Sequence, residues 1–345
     1  MQQQQSRNNA VSAVVVAVTY GDRLHLVRQV VAGALRFVSV VKIIIVDNGS
    51  KRPVAASDFD EPEKVEVLRS ETNLGSAAGF RLGIERALAL EGVRYLSLLD
   101  DDNVVGDGYY DELARLHEEL GGGDEIAFSA IRTDREQYKR LLSQPQHPSY
   151  LHGSFLGFDV AAIAKRLAGR IMKTARPASP SRLRAIDRAP YGGLFLTLAA
   201  ARRIDPPRLD FVLYGDDHEY TRRLTRAGVT IYLTDHAHVV DVDQSWNEVN
   251  DRGSRWIDVS APQWRIYYAA RNQHFLELSE AGGKAALRMN RLALKARLYA
   301  EALARHRSPS KAARAMRTLN LAIRHAKRGQ LGANEEFRIP FSSGN

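Results

Sequence analysis

The chain has 345 residues, 44% of them hydrophobic, which is enough for one large domain or two modest ones. It has no cysteine, which excludes disulfides, thiolate metal sites and cysteine nucleophiles. The net charge of +9 is concentrated in Ala281–Gln330, where thirteen Lys and Arg accompany a single acid, Glu301. Such a segment predicts an anionic membrane, an acidic partner or nucleic acid as its ligand.

The beginning of the chain is polar and glutamine-rich from Met1 to Ala10. It lacks the charged-then-apolar order of a signal peptide, so we expect a disordered lead-in. No stretch is long and apolar enough to span a bilayer. The lack of cysteine also suits the cytosol, and we expect a cytoplasmic protein.

Apolar runs and helical patterns alternate over the first hundred residues. Strands are predicted at Ala13–Thr19, Lys42–Val46, Val65–Leu68 and Tyr95–Leu99, and helices at Leu24–Leu35 and Phe80–Leu90. Strand, helix, strand is typical of a parallel βαβ unit. Continuous apolar runs are typical of parallel strands that are buried on both faces.

The rest of the chain is less regular until it becomes predominantly helical beyond Trp264. Helices are predicted at Asp111–Leu120 and Asp216–Ala227, a strand at Val229–Leu233, and a strand or strand–helix edge at Gly193–Ala200. The proline-containing stretches Gln144–Ser154 and Lys173–Pro190 predict loops. A flexible break is expected near Arg307–Ser310.

Polar residues follow three of the predicted strands: Thr19 with Tyr20, Asp47 with Asn48, and Asp100 to Asp102. Ligands of open α/β sheets bind at these carboxyl ends. A single aspartate there is often only a turn former. Three in a row repel one another unless a cation lies among them, and hard divalent cations prefer oxygen ligands. The triplet therefore predicts a metal site.

A second acidic cluster, Asp216, Asp217 and Glu219, opens a predicted helix. Capping and the helix dipole would explain one acid at that position. Three acids are more than capping and the helix dipole require, and one of the three is a candidate general base. One carboxylate cluster for metal and one for a base fit the transfer of a group from a diphosphate-bearing donor, because a metal neutralises the charge that grows on the departing diphosphate.

Several motifs resemble those of the family-2 glycosyltransferases, whose fold is the GT-A nucleotide-sugar-binding domain. In the family's order they are VAVTYGDR from Val16, IIIVDNGS from Ile43, NLGSAAGFRLGI from Asn73, LSLLDDDN from Leu96, GGLFLTLAA from Gly192 and FVLYGDDHEYTRRL from Phe211. YYAARN, from Tyr267 to Asn272, is similar to a segment of rhamnosyl- and galactofuranosyltransferases. The resemblance extends over roughly Val14–Asn272.

The resemblance implies an α/β fold of the GT-A (Rossmann-like) class, with a mostly parallel sheet flanked by helices. It implies an inverting transfer with Mn²⁺ or Mg²⁺ as cofactor and Asp217 as catalytic base. It places donor contacts at Thr19, Asp47, Asn73, Gly75, Asp100 and Asp101, with a purely structural role as the alternative for Asp101, and acceptor contacts at Gly192, Gly193 and Glu219. Arg81 is a further candidate contact for the donor diphosphate, because glycine-rich turns can approach phosphates closely. The alternative for Arg81 is a solvated helix residue. Asp100 and Asp102 would bind the metal, with Asp241 or His238 as a further ligand, since Asp241 stands where relatives often carry a histidine.

The resemblance also implies the partners and the division of the chain. UDP-galactofuranose or dTDP-rhamnose is the favoured donor, and a glycan or lipid-linked glycan of cell-surface polysaccharide synthesis is the expected acceptor. We divide the chain into a disordered segment 1–10, a catalytic domain 11–262, a helical basic C-terminal region 263–330 and a tail 331–345.

The basic C-terminal region has two amphipathic patterns, formed by Leu287, Leu294 and Leu298 and by Met316, Leu319 and Ile323. Basic amphipathic helices often lie on anionic membranes, and related enzymes often use lipid-linked acceptors. We therefore expect docking at the inner face of the cell membrane. The alternative is an ordinary packed helix with a solvated charged face.

Other classes remain as alternatives. Another hexosyl- or N-acetylhexosaminyltransferase would have the same motifs. A sugar nucleotidyltransferase would need a glycine-rich, basic loop after the first strand, which Val18–Asp22 does not supply. A nucleic-acid-binding protein would need positive charge throughout the main domain, whereas here the charge is concentrated in the C-terminal region, so no nucleic acid is expected as a partner.

Overall fold

A computed structural model of the protein describes residues 11–133, 135–143, 152–171, 182–243, 255–280 and 284–340. Its sheet strands are β1 Ala13–Thr19, β2 Val40–Asn48, β3 Val65–Ser70, β4 Tyr95–Asp100, β5 Asn103–Val105, β6 Ile126–Arg132, β7 Leu183–Ile186, β8 Leu194–Thr197 and β9 Thr230–Asp241. The expected lead-in at 1–10 and the expected loop residues 144–151 and 173–181 lie outside the described residues.

Helices surround this sheet. They are α1 Leu24–Leu35, α2 Ser76–Leu88, α3 Tyr109–Glu119, α4 Glu136–Ser143, α5 Val160–Ile171, α6 Leu198–Ala201, α7 Asp216–Arg226, α8 Gln263–Ser279, α9 Lys284–His306, α10 Pro309–Ala315 and α11 Arg317–Lys327. Short 3₁₀ turns include Leu209–Phe211 and Arg255–Ile257. Within the described residues, no helix is both long enough and apolar enough to cross a membrane.

The strands form one sheet in the order β3-β2-β1-β4-β8-β6-β9-β5, with β7 paired to β9. Pairing is parallel from β3 through β4 and between β6 and β9. β8 runs antiparallel to both β4 and β6, and β5 and β7 run antiparallel to β9. Most of the described strands therefore point the same way, and their carboxyl ends lie along one edge of the sheet.

Both faces of the sheet are buried. Val15 and Ala17 belong to the apolar cluster on one face, and Val14, Val16 and Val18 belong to the cluster on the other. A third cluster joins α8 to α11 and includes Leu294, Leu298 and Leu319. The C-terminal helices thus pack around a third core, which also includes Phe155, Val212 and Trp256 from earlier in the chain.

The predicted fold class is confirmed: the protein has an α/β structure with a mostly parallel sheet flanked by helices and with a helical C-terminal region. The break between α9 and α10 is also confirmed, since α9 ends at His306 and α10 begins at Pro309. Two predictions were incomplete. The strand expected at Val229–Leu233 continues to Asp241, and the stretch expected to be a loop at Lys173–Pro190 contains β7. The division at residue 262 stays a proposal.

Candidate active site

A cleft of about 1030 Å³ opens at the carboxyl ends of β1, β2 and β4. Its floor includes the ends of these strands. One wall is formed by the start of α7, and another by residues from the first turns of α8. Several large aromatic side chains line it, namely Tyr20, Phe80, Tyr138, Tyr191, Tyr214, Trp256 and Trp264. Parallel strand ends, an acidic helix start and an aromatic lining meet here.

Strand alternation decides which polar residues face the cleft. Thr19 and Asp47 are register partners on β1 and β2 and point to one face of the sheet. Tyr20 and Asn48, one residue further along each strand, line the cleft. The predicted donor contacts at Thr19 and Asp47 are therefore corrected: both side chains are buried, at 1% and 0% exposure, outside the cleft lining.

Asp47 has a structural role in this arrangement. Its carboxylate accepts hydrogen bonds from the backbone N–H groups of Ser50 at 2.9 Å and Val54 at 3.0 Å, and it is ion-paired with Arg69. A buried carboxylate needs such partners because desolvation of the charge is costly. Asp47 thus shapes the turn after β2, while Asn48 holds the following segment by donating to the Asn73 side chain and the Gly75 carbonyl.

The three aspartates after β4 also differ in their exposure to the cleft. Asp100 and Asp102 lie with side chains 39% and 21% exposed at the cleft. Asp101 is buried between them, and one of its carboxylate oxygens accepts from Thr19 Oγ1 at 3.0 Å and Arg23 Nε at 2.8 Å. Burial raises the pKa of Asp101, although Arg23 and Thr19 oppose the shift. Asp101 lines the cleft with its carboxylate already held by Thr19 and Arg23, and its predicted contact with the donor stays a prediction.

The bend of β9 brings Asp241 to the triplet. The β6–β9 register shifts at Ala130/Ile131, after which Ile131 and Arg132 of β6 pair with His238 and Val239. The same end of β9 also pairs with β5, which sets Asp241 opposite Asn103. Asn103 Nδ2 donates to Asp241 Oδ1 at 2.7 Å and to Asp102 Oδ1 at 3.0 Å. His238 lies against Gly106 and is not part of the cleft lining. Of the two predicted further ligands, the structure brings Asp241 to the site.

Three arginines that the sequence analysis missed balance this negative charge. Arg132 Nη2 donates to Asp100 at 2.6 Å, and Arg135 Nη2 donates to Asp241 at 2.6 Å. Arg23 contacts Asp101, Asp102 at 3.1 Å and, through its third nitrogen, Asp243. Their signal in the sequence is weak, because an arginine after a strand is usually a solvated surface residue.

The positive charge of these arginines does not fully offset the negative charge around Asp102. Burial, together with the charges of Asp100 and Asp101, raises the pKa of Asp102 to about 7, while Arg23 acts in the opposite direction. A raised carboxyl pKa marks a place where further positive charge would be favourable. Asp102 is thus a place on the cleft floor where a bound cation would be favourable.

This donor set suits a divalent cation in its chemistry. Carboxylate oxygens of Asp100, Asp102 and Asp241 are the hard ligands that Mg²⁺ and Mn²⁺ prefer, and Asp102 lies where added positive charge is favourable. Among the described residues, however, no three His, Asp or Glu side chains stand at ready-made ligand spacing. Arginines occupy positions between the carboxylates, so the carboxylates would have to reorient to share one ion.

The second acidic pair stands across the cleft at the start of α7. Asp216 is 3% exposed, and both its oxygens accept from Ser76 Oγ at 2.9 Å. Burial and the adjacent Asp217 raise the pKa of Asp216. Asp217 is half-buried and lines the cleft, with one carboxylate oxygen at 2.7 Å from the N–H of His218. Asp217 is therefore the better placed of the two to meet a ligand.

Among the remaining predicted donor residues, only Asn73 lines the cleft. Gly75 packs under it, against the carbonyl of Val212. Arg81 lies outside the cleft lining and pairs with Glu85 at 2.8 Å, which corrects its predicted contact with the donor.

The predicted acceptor residues also lie behind the cleft. Glu219 is buried and binds Arg223 Nε at 2.8 Å, so its charge is already paired. Gly192 packs against Asp100, Asn103 and Arg132, and Gly193 donates to the carbonyl of Leu98. These residues shape the site without lining it. The predicted acceptor contacts are corrected accordingly.

The strands that build the cleft floor fall within one segment that has known relatives. Residues 14–166 match glycosyl transferase family 2. The match begins in β1 and ends within α5, somewhat less than half of the chain. It confirms the resemblance at the level of the family for this segment, and it does not bear on the rhamnosyl or galactofuranosyl resemblance. A comparison with curated proteins finds no match.

Solved structures of similar fold have low sequence identity to this chain. They include the mannosyltransferase PcManGT from Pyrobaculum calidifontis in complex with GDP-Man and Mn²⁺, at 15% identity and TM-score 0.48, covering 93% of this chain and 76% of that one. GalNAc-T7 with UDP, GalNAc and Mn²⁺ has 14% identity and TM-score 0.43 over 68% of this chain. TarS of S. aureus, residues 1–349 with UDP, has 12% identity and TM-score 0.42, covering 81% and 68%. The chain spans 44% of GalNAc-T7 and 37% of a longer TarS structure.

Proposed function

We propose that this protein is a glycosyltransferase that moves a sugar from a nucleoside-diphosphate donor to an acceptor hydroxyl with inversion. The observation that carries the proposal is the cleft itself. A carboxylate cluster at the ends of parallel strands faces a second carboxylate, Asp217, at the start of a helix across the cleft. The family match of residues 14–166, which includes the strand ends of the cleft floor, supports this proposal.

The donor would lie over the strand ends beside Tyr20, Asn48 and Asn73, which replace Thr19 and Asp47 as proposed nucleoside contacts. Asp102 and Asp241, with Asp100, would hold Mn²⁺ or Mg²⁺. Bound there, the ion would neutralise charge on the departing diphosphate. Arg23, Arg132 and Arg135 keep these carboxylates in place and limit their repulsion.

Asp217 is the proposed general base. It would accept the proton of the acceptor hydroxyl as the bond to the sugar forms from the face opposite the leaving nucleotide, which gives inversion. General-base assistance contributes about 10²–10⁴-fold in rate. Asp216 next to it has a raised pKa and is held by Ser76, so it carries less negative charge to compete for that proton.

The identity of the sugar remains a proposal from the resemblance alone. UDP-galactofuranose or dTDP-rhamnose is favoured by the YYAARN segment, yet Tyr267, Tyr268, Arg271 and Asn272 are all buried. Of the segment, Ala269 lines the cleft, and these four larger side chains lie behind it. Other hexoses and N-acetylhexosamines stay open, while the acidic cleft floor disfavours nucleic acid as a ligand.

A donor screen tests the proposed function. UDP-, dTDP- and GDP-sugars would be compared by thermal stabilisation and by hydrolysis in the presence of Mn²⁺. We expect one nucleotide class to stabilise the protein and Asp217→Asn to keep that stabilisation while transfer falls about 10²–10⁴-fold. Asp107→Asn is the matched control, because Asp107 is a surface carboxylate with a 95% exposed side chain. Near-normal transfer by Asp217→Asn would refute the assignment.

We also propose that the acceptor is a lipid-linked glycan at an anionic membrane, with a correction to the docking surface. Leu287, Leu294 and Leu298 of α9, like Met316, Leu319 and Ile323, are buried in the third core cluster and cannot face lipid. The opposite side of α9 carries an exposed stripe, which consists of Met289, Leu292, Ala296, Tyr299 and Leu303.

We propose that this stripe binds an anionic membrane, because basic residues flank it. Arg288 and Arg297 are exposed beside it, and basic residues beside an apolar stripe favour anionic lipid.

Leu292, the most exposed member at 67%, can be changed to Glu. We expect this variant to lose co-sedimentation with phosphatidylglycerol vesicles, while Leu209→Glu, at a 54% exposed position away from α9, keeps it. Equal binding of both variants, or binding to neutral vesicles as strong as to anionic ones, would count against docking. Concentration-dependent dimerisation lost in Leu292→Glu would instead assign the stripe to a second copy.

A further inference from the structure

The loop that leads into α7 has an unusual backbone. Val212 has φ 66° and ψ −67°, and the N–H of Leu213 donates to the carbonyl of Phe211 at 2.8 Å. This is a γ-turn of the rarer, strained kind. Tyr214 follows with φ 64°, also in the left-handed region. Such conformations persist only where the surroundings hold them, and this one lies directly before Asp216 and Asp217.

One buried side chain holds the carbonyls of this loop. Asn272 of α8 is fully buried, and its Nδ2 donates to the carbonyls of Phe211 at 2.7 Å, Leu213 at 2.9 Å and Tyr214 at 2.8 Å. An amide nitrogen has two hydrogens, so one of them is shared. These carbonyls are brought together by the turn, and a single donor group satisfies all three.

Arg271 fixes the orientation of that amide. Its Nε donates to Asn272 Oδ1 at 2.9 Å. This contact requires the amide oxygen of Asn272 to face Arg271 and the amide nitrogen to face the loop. Its terminal nitrogens donate to the carbonyls of Phe211 at 3.2 Å and Gly332 at 2.5 Å. Arg271 is 1% exposed and lies against the rings of Tyr267 and Tyr268. The guanidinium thus links the strained loop to the C-terminal part of the chain.

The start of α2 closes the other side of the loop. The N–H of Ala77 donates to the carbonyl of Val212 at 3.2 Å, and Gly75 packs so closely against that carbonyl that a side chain would collide with it. Ser76 meanwhile holds Asp216. The loop is therefore held between α2, which contributes Ser76 to the cleft, and α8, which contributes Asn272 from behind.

We infer that Asn272, oriented by Arg271, is a positioning residue that fixes the place of Asp217 in the cleft. Neither Asn272 nor Arg271 lines the cleft, so both act through the loop that they hold. This inference rests on the proposed function for the role of Asp217, whereas the holding of the loop does not depend on it. It also gives the YYAARN segment a function that requires no contact with the sugar.

The principal test is Asn272→Asp. The change keeps the shape of the side chain, removes both N–H hydrogens and turns a carboxylate oxygen toward three carbonyls. Displacement of a catalytic group by about 1 Å costs on the order of 10²-fold in rate. We expect kcat to fall by about that factor, with KM for the donor and nucleotide affinity measured with Mn²⁺ within about 3-fold of wild type, since donor contacts lie elsewhere. In an Asp217→Asn background the same change should add little further loss, because residues that act as a unit are not additive.

Asn290→Ala is the matched control. Asn290 is also a buried asparagine of the C-terminal helices, 1% exposed, and it bonds to Gly153 and Val160 far along the chain from the loop. We expect its loss to lower stability without lowering kcat. Arg271→Lys, which keeps a positive charge and removes the Nε contact, should reduce kcat less than Asn272→Asp. An unchanged kcat in folded Asn272→Asp, or a loss confined to KM, would overturn the inference.

Hydrogen exchange separates this inference from the proposed function. Amides of residues 211–218 should exchange faster in Asn272→Asp than in wild type and be unchanged in Asn290→Ala. If the wild-type protein transfers no sugar from any donor, the proposed function fails and this exchange measurement alone decides the positioning role. Wild-type exchange at residues 211–218 in folded Asn272→Asp would overturn it whatever the activity.

Discussion

Substitution of Gly192, which does not itself line the cleft, by alanine should disrupt the cleft floor. The φ of Gly192 is not in the left-handed region, so only space forbids a side chain there. An added Cβ would lie 2.6 Å from Asp100 Oδ2 and closer still to Asn103 and Arg132. Arg132 is only 5% exposed and cannot swing into solvent. The pairing of Asp100 with Arg132 must therefore shift by roughly 1 Å or break.

Overpacking of this kind costs about 1–3 kcal/mol of unfolding free energy, and a shift of that size at a reacting centre costs on the order of 10²-fold in rate. We expect a few degrees lower melting temperature, together with at least about 10-fold weaker Mn²⁺-dependent nucleotide binding by calorimetry. Gly92→Ala is the control for stability: Gly92 has φ +70° with no atom nearby, so alanine costs about 1–2 kcal/mol of strain and leaves binding intact. If Gly192→Ala binds and transfers like wild type, the packing of Asp100 against Arg132 has no part in the site.

Three further predictions concern the carboxylates Asp47, Asp102 and Asp216. Arg69→Ala should lower unfolding free energy by about 1–3 kcal/mol and leave nucleotide affinity unchanged; a loss of affinity in the folded variant would restore Asp47 as a donor contact. Asp102→Ala should weaken Mn²⁺-dependent nucleotide binding in calorimetry while Asp107→Ala does not, and equal affinity of the two would contradict the proposed ligand. Asp216 has a raised pKa in the folded state, so its proton stabilises the fold at low pH and this contribution declines as pH rises above the unfolded value near 4. Asparagine mimics the neutral form of Asp216, so the melting temperature of Asp216→Asn relative to wild type should rise from pH 5 to pH 8. A difference in melting temperature that stays constant over this range would refute the retention of a proton by Asp216.

Much of the fold could be predicted because buried parallel strands are continuous apolar runs in the sequence. β1 was predicted at its observed bounds, and so was α1. Short strands were not predicted where neighbouring strands of the sheet, and not an apolar run of their own, bury them. β5 has three residues and exists because β9 bends to pair with it, and that bend depends on a register shift that no local pattern shows.

The cleft residues were harder to predict for the same physical reason. When both faces of a strand are buried, apolar spacing does not indicate which face meets the ligand. Thr19 and Asp47 were therefore chosen where Tyr20 and Asn48 line the cleft. Asp101 and Asp102 lie in the turn after β4, so strand alternation does not indicate which carboxylate of the triplet is buried. Arg132 and Arg135 could not be found from the sequence, since they reach the site only through the three-dimensional arrangement of the end of β6 and the residues that follow it.

The position of Asn272 behind the cleft has a consequence for how relatives of this protein would be recognised. The matched family segment ends within α5, yet α7, its strained loop and the helix that holds the loop all come later in the chain. A match to the earlier segment therefore bears on the proposed nucleotide side of the cleft and says little about the proposed acceptor. Two proteins with this first segment in common could differ wholly in acceptor. Comparison of the residues that hold the loop before α7 would separate them where comparison of the aspartate triplet would not.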